Sequence, residues 1–178
     1  MKILAVYPGT FDPVHYGHID IARRAASLFD ELTIAVYDRP LKTLVFSPEE
    51  RLALVNEAVA GMQLANVKVE LFSGLAVEYC RSVNAKVMIR GLRVFSDFEH
   101  EFRMALANRR LAPEIDTVPL ITNEEHTFIS SSTVREIASL GGNVTSLVPP
   151  HVQVALKRRF KELGDDGHRV VPMTSLRD

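Results

Sequence analysis

Five short apolar runs recur along the chain, separated by amphipathic stretches, and this rhythm constrains the fold more than any other feature. The runs are KILAVY (2–7), LTIAVY (32–37), VKVELF (67–72), KVMIR (86–90) and TVPLI (117–121). Near-continuous apolar strands alternating with helical patterns mark a parallel sheet covered by crossover helices. We therefore expect an α/β, Rossmann-like parallel five-stranded sheet with helices on both faces, in a single domain over 1–163.

The connecting segments read as helices. After the first run, Ile19, Ala22, Ala25, Ala26 and Phe29 recur at helical spacing. In FSPEER, Ser47 suits an N-cap, Pro48 the first helical position and Glu50 the far end of a capping box, so a helix is expected to about Ala60. Further helices are expected over 76–83, over 97–110 with Phe98, Phe102, Ala105 and Leu106 buried, from SSSTVREIASLGG with Thr133 and Glu136 at capping-box spacing, and over 151–163. Residues 164–178 lack periodicity and read as a mobile tail.

Composition narrows the class of function. With 178 residues, a single domain buries roughly 70% of its unfolded surface and needs no cross-links. A net charge of −1 argues against a nucleic-acid partner. The lone Cys80 cannot form an internal disulfide, no run approaches the ~20 apolar residues of a membrane span, and the first apolar stretch is shorter than a signal-peptide core. These features together suggest a cytoplasmic protein.

The chemistry concentrates in GTFDPVHYGH (9–18), where a strand feeds a turn and then a helix at the carboxyl edge of the expected sheet. Gly9 permits close backbone approach, and the helix starting near Gly17 offers free N–H groups and a positive dipole end, an anion site. His15 and His18 share a helical face suited to zinc, but such a site needs a third ligand, and His100, His126, His151 and His168 form no cluster with a carboxylate at suggestive spacing. No G-x-S-x-G elbow or P-loop is present. Loop histidines satisfied by backbone remain the plain alternative.

Downstream, IRGLRVFSDFEHEF (89–102) places Arg90 and Arg93 around Gly91 at a strand end, where forked guanidinium donors suit phosphate oxygens. TFISSSTVRE (127–136) opens a helix with three serines able to cap it or take phosphate, and Lys42 lies on the loop after the second strand.

The pattern GTFDPVHYGH resembles the signature of the nucleotidyltransferase superfamily. With RGLR, DFEHE and FISSS in this order from about residue 1 to 160, the chain closely resembles the bacterial phosphopantetheine adenylyltransferase family. The resemblance implies adenylyl transfer from ATP to 4'-phosphopantetheine, with Mg2+ carried on ATP and no dedicated protein metal ligand. It also implies a homohexamer with coenzyme A as feedback ligand. His18 is then the transition-state stabiliser and His15 shapes the phosphate pocket. Thr10 lies between substrate and ATP, Phe11 is on the ATP side, Lys42 and Arg90 hold the phosphopantetheine phosphate, and Ala76 lines its pocket. Gly91, Leu92, Arg93, Glu101 and the segment His126, Thr127, Phe128, Ile129, Ser130, Ser131 and Ser132 contact ATP. Ala76 and His126 depart from the larger apolar or aromatic residues frequent there. An adenylyltransferase for another acceptor such as nicotinate mononucleotide, or a nucleotide-binding regulatory module without turnover, stands as the alternative.

Overall fold

The computed structural model describes residues 2–40 and 43–165. Its sheet is fully parallel: β1 (Leu4–Gly9), β2 (Glu31–Tyr37), β3 (Val67–Phe72), β4 (Val87–Leu92) and β5 (Asp116–Ile121), in the order β3-β2-β1-β4-β5. The helices are α1 (Tyr16–Leu28), α2 (Pro48–Ala60), α3 (Ala76–Ser82), α4 (Phe95–Leu111), α5 (Ser131–Ser139) and α6 (Pro150–Asp165), with a short 3-10 turn at Glu124–His126. The chain winds outward from β1 to β3, then returns to the other side of β1 for β4 and β5. That reversal puts a topological switch point between β1 and β4, where open α/β sheets bind ligands.

The register shows the opening directly. β1 and β2 pair along their whole length, from Leu4↔Glu31 to Gly9↔Val36, whereas β1 and β4 pair only at Ala5↔Val87 and Val6↔Met88. Beyond Val6 the two strands part.

Alternation along each strand divides the core in two, as expected for a sheet covered on both faces. Ala5, Tyr7, Leu32, Ile34, Val36 and Ile89 pack with Ile21 and Ala25 of α1, Val55 of α2, Val134 of α5 and Leu156 of α6. On the other face Val6, Ala35 and Met88 meet Val77 and Cys80 of α3, and Ala112 and Ile115 after α4. Each fully buried Ile, Leu or Val contributes about 1.5–3 kcal/mol relative to exposure. Among the described residues no helix is long and apolar enough to cross a membrane.

The α2 start follows the sequence reading: Ser47 Oγ accepts from the Glu50 N–H at 3.2 Å, and the Ser47 N–H donates to Glu50 at 2.8 Å. Other expectations need correction. β1 runs to Gly9, two residues further than the apolar run suggested. α5 is capped by Ser130, whose Oγ accepts from the Thr133 N–H at 3.0 Å, so Thr133 is inside the helix rather than its cap. α6 continues through Asp165, past the expected boundary at 163, and the rest of the expected tail lies outside the described residues.

The largest correction concerns α4. Phe98, Phe102 and Leu106, expected in the core, are about half exposed in the chain. Asp97 and Glu101 instead face the sheet, because both pair with arginines at the β4 end. With about 100° between successive helical residues, turning that stripe inward turns 98, 102 and 106 outward.

Candidate active site

The turn after β1 is built around Phe11. Its backbone is left-handed (φ 52°) and its side chain is buried. A Cβ on Gly9 would stand 2.9 Å from the Phe11 ring, so the space this glycine provides belongs to Phe11 and not to an approaching ligand. The ring also meets Tyr7 edge-on at 5.5 Å and His18 at 4.9 Å. Phe11 therefore buttresses His18 from below.

His15 takes the N-cap position of α1 and His18 the third helical position. The His15 N–H donates to His18 Nδ1 at 3.3 Å, and the two rings stack at 3.6 Å. An N–H donor obliges Nδ1 to be the acceptor, which leaves Nε2 carrying the proton of the neutral ring. His18 is thus held as an Nε2–H donor at a helix N-terminus. His15 is buried, and burial above all, with the nearby charge of Arg93, holds its pKa well below the ordinary value. It is a neutral spacer. Gly17 leaves room for it, since a Cβ there would lie 3.1 Å from His15 Cε1 and 3.7 Å from the His126 carbonyl.

Across the opening, Arg90 and Arg93 rise from the end of β4. Arg90 grips Glu101 with Nε and Nη2, both at 2.7 Å, while Nη1 donates to the Pro8 carbonyl at 3.1 Å. Its side chain thereby bridges the gap left where β1 and β4 separate. Arg93 grips Asp97 through Nε at 3.0 Å and Nη2 at 3.1 Å, and Nη1 reaches the Ile129 carbonyl at 3.1 Å. Among the described residues, three of the five N–H groups of each guanidinium are thus engaged, which leaves two for an anion. Both arginines are about one-third exposed. Glu101 is seated on Arg90, a role its expected ATP contact did not include.

The segment after β5 closes the site from above. The His126 ring lies over Tyr16 at 6.3 Å, Ile129 is buried, Phe128 is exposed, and Thr127 donates to the Glu124 carbonyl. The three serines divide their work: Ser130 caps α5, Ser131 Oγ donates to the Pro13 carbonyl at 3.0 Å, and Ser132 Oγ accepts from Arg135. The start of α5 is thereby tied to the β1–α1 turn. Gly91 and Leu92 are half-buried at the end of β4; a Cβ on Gly91 would meet Ile21 at 3.4 Å. Thr10 is half-buried at the end of β1, and Ala76 opens α3 beyond β3. The strand-end placement brings His15, His18, Arg90, Arg93 and the 126–132 segment around one opening. Lys42 lies outside the described residues.

Sequence reasoning missed Asp12, Arg51 and Arg135, all engaged at the base of this turn. The available signal was Arg51, a charge on the same helical face as Leu54, Val55 and Ala58. Among the described residues no group of three or more His, Cys, Asp and Glu side chains is arranged to hold a metal ion. The carboxylates beside the opening, Asp97 and Glu101, are committed to arginines. Chemically, forked guanidinium donors and an imidazole N–H at a helix start are groups suited to anionic oxygens.

Residues 6–137 match the cytidylyltransferase-like family. The phosphopantetheine adenylyltransferase of Herpetosiphon aurantiacus is 52% identical over 89% of this chain and 94% of its own length. That of Roseiflexus sp. is 55% identical over 88% and 97%. Among solved structures, a putative nicotinate-nucleotide adenylyltransferase from Vibrio parahaemolyticus aligns with a TM-score of 0.69 at 17% identity, covering 91% of this chain and 97% of that one. At that identity the likeness is one of fold. With half its residues shared over nearly its whole length, the chain belongs to the cytidylyltransferase-like family and, within it, to the phosphopantetheine adenylyltransferases.

Proposed function

We propose that the chain transfers the adenylyl group of ATP to 4'-phosphopantetheine, giving dephospho-coenzyme A and pyrophosphate. The observation that carries this reading is the convergence of His18, Arg90 and Arg93 on the opening between β1 and β4, in a chain half identical to phosphopantetheine adenylyltransferases.

The acceptor's phosphate oxygen attacks the α-phosphorus of ATP; a new O–P bond forms as the bond to the bridging oxygen of pyrophosphate breaks. A phosphate monoester is largely dianionic at neutral pH, its second pKa being about 6, so no protein base or covalent intermediate is required. The protein's tasks are in-line placement and charge stabilisation. His18 Nε2–H donates to oxygens that gain charge as the leaving group departs. Arg90, with Lys42, holds the acceptor phosphate; Arg93 and the start of α5 hold ATP phosphates. Thr10 stands between the two substrates. The reading takes Mg2+ as carried on ATP, part of that substrate, and the pairing of Asp97 and Glu101 with arginines supports it.

The same reading assigns a cytoplasmic homohexamer with coenzyme A as feedback ligand. Support for assembly is the half-exposed apolar face of α4, with Phe98 and Phe102 stacked at 5.8 Å. Support for the compartment is the single, buried Cys80.

Pyrophosphate release from ATP, measured with 4'-phosphopantetheine and with nicotinate mononucleotide in turn, tests the function. Release with the first acceptor alone is expected. Release only with the second would reassign the acceptor, and ATP binding without release from either would make the chain a nucleotide-binding module.

A further inference from the structure

Arg51 is given no contact with either substrate above, yet its side chain is fully buried. Nη1 donates to the carbonyls of Thr10 at 2.7 Å and Tyr37 at 2.6 Å, Nη2 to that of Asp38 at 3.1 Å, and Nε to that of Phe46 at 3.3 Å. All four acceptors are main-chain oxygens at the ends of β1 and β2 or just before α2, where the sheet ladder stops supplying partners. None is a carboxylate. Burial accordingly lowers the Arg51 pKa, against the opposing pull of Asp12, Asp38 and Glu49.

Desolvating a guanidinium costs several kcal/mol, which an apolar side chain filling the same face of α2 would avoid. What an apolar side chain lacks is control of carbonyl direction. The peptide unit is planar, so fixing the Thr10 carbonyl fixes the Thr10–Phe11 peptide plane. That plane leads into the left-handed Phe11, whose ring supports His18. Asp12 grips the same turn, accepting from the N–H groups of Val45 at 2.9 Å and Phe46 at 3.0 Å, while its carbonyl accepts from Arg135.

We propose that Arg51 is a positioning residue for adenylyl transfer: by clamping the Thr10 carbonyl it orients Thr10 at the cleft without contacting either substrate. The inference rests on Thr10 belonging to the active site, as proposed above.

The test is a double-mutant cycle between Arg51→Lys and Thr10→Ala in the pyrophosphate-release assay. Lysine retains the charge and most of the volume but cannot fork to four carbonyls. Arg51→Lys is expected to lower kcat about ten- to a hundredfold, the scale of a misplaced reacting group, with both KM values within about twofold. If Arg51 acts through Thr10, the double variant is no slower than the slower single variant. Losses that multiply in the double variant, or an unchanged kcat in Arg51→Lys, overturn the inference. Thr10→Ala at the wild-type rate removes Thr10 from the site, and the inference with it. Should Arg51→Lys fail to fold, Arg51→Gln, which removes the buried charge but keeps one amide donor group for the carbonyls, goes through the same cycle under the same two outcomes.

Discussion

Replacing His18 in two ways separates its two nitrogens. Nδ1 accepts the His15 N–H at 3.3 Å and so cannot itself donate, and donation to a phosphate oxygen falls to Nε2–H. In His18→Asn the amide oxygen reproduces the Nδ1 acceptor, while nothing reaches the Nε2 position; in His18→Gln the amide nitrogen reaches toward Nε2. Loss of one preorganised transition-state donor is worth about a hundredfold or more in kcat, near 2.7 kcal/mol. His18→Asn should therefore lose about that factor with the α1 start intact, and His18→Gln should recover part of it. The assay is steady-state pyrophosphate release with ATP and 4'-phosphopantetheine, beside a thermal melt of each variant. The ring also packs on Phe11 and His15, so a small drop in melting temperature is expected for both. Wild-type kcat in His18→Asn would refute the donor assignment, and equal kcat losses in both variants would refute the division of labour between the nitrogens.

Three further outcomes follow from the packing. Gly9→Ala drives a methyl to 2.9 Å from the buried Phe11 ring; it should cost about 1–3 kcal/mol, a fall of about 2–4 °C per kcal/mol in differential scanning fluorimetry. His15 is held neutral below its ordinary pKa of 6.5, so the unfolded chain binds the extra proton and stability is lost as pH falls below that value. Denaturant titrations should show a His15-dependent slope of up to about 1.4 kcal/mol per pH unit, absent in His15→Gln. Phe98→Glu with Phe102→Glu places charges on the exposed α4 face and should shift light-scattering mass to smaller species while leaving the subunit folded.

Much of the fold was legible because parallel strands buried on both faces must be apolar throughout, and the five runs reported them to within about two residues. The order of the strands was not written in any local pattern. Periodicity marked an amphipathic α4, but it could not weigh an arginine–carboxylate pair against a phenylalanine stripe, and the structure turned Asp97 and Glu101 inward. His18, Arg90 and Arg93 were singled out by the motifs GTFDPVHYGH and RGLR, and the expected helix start for the first and strand end for the arginines are where the structure places them. Arg51 was not, since a single charge in a helix usually reads as surface, and only the carbonyls converging from two strand ends make its burial sensible.

The carboxylate-held arginines also bear on how nucleotides arrive. Arg90 and Arg93 keep their orientation before any phosphate enters, so little side-chain entropy is left to lose on binding. Their charges are meanwhile balanced by Glu101 and Asp97, and the overall charge of the chain is only −1. Long-range steering of polyanions is therefore weak, and association should vary only shallowly with ionic strength. Selection happens at contact, where a phosphate in the right place can share a guanidinium already aimed at it.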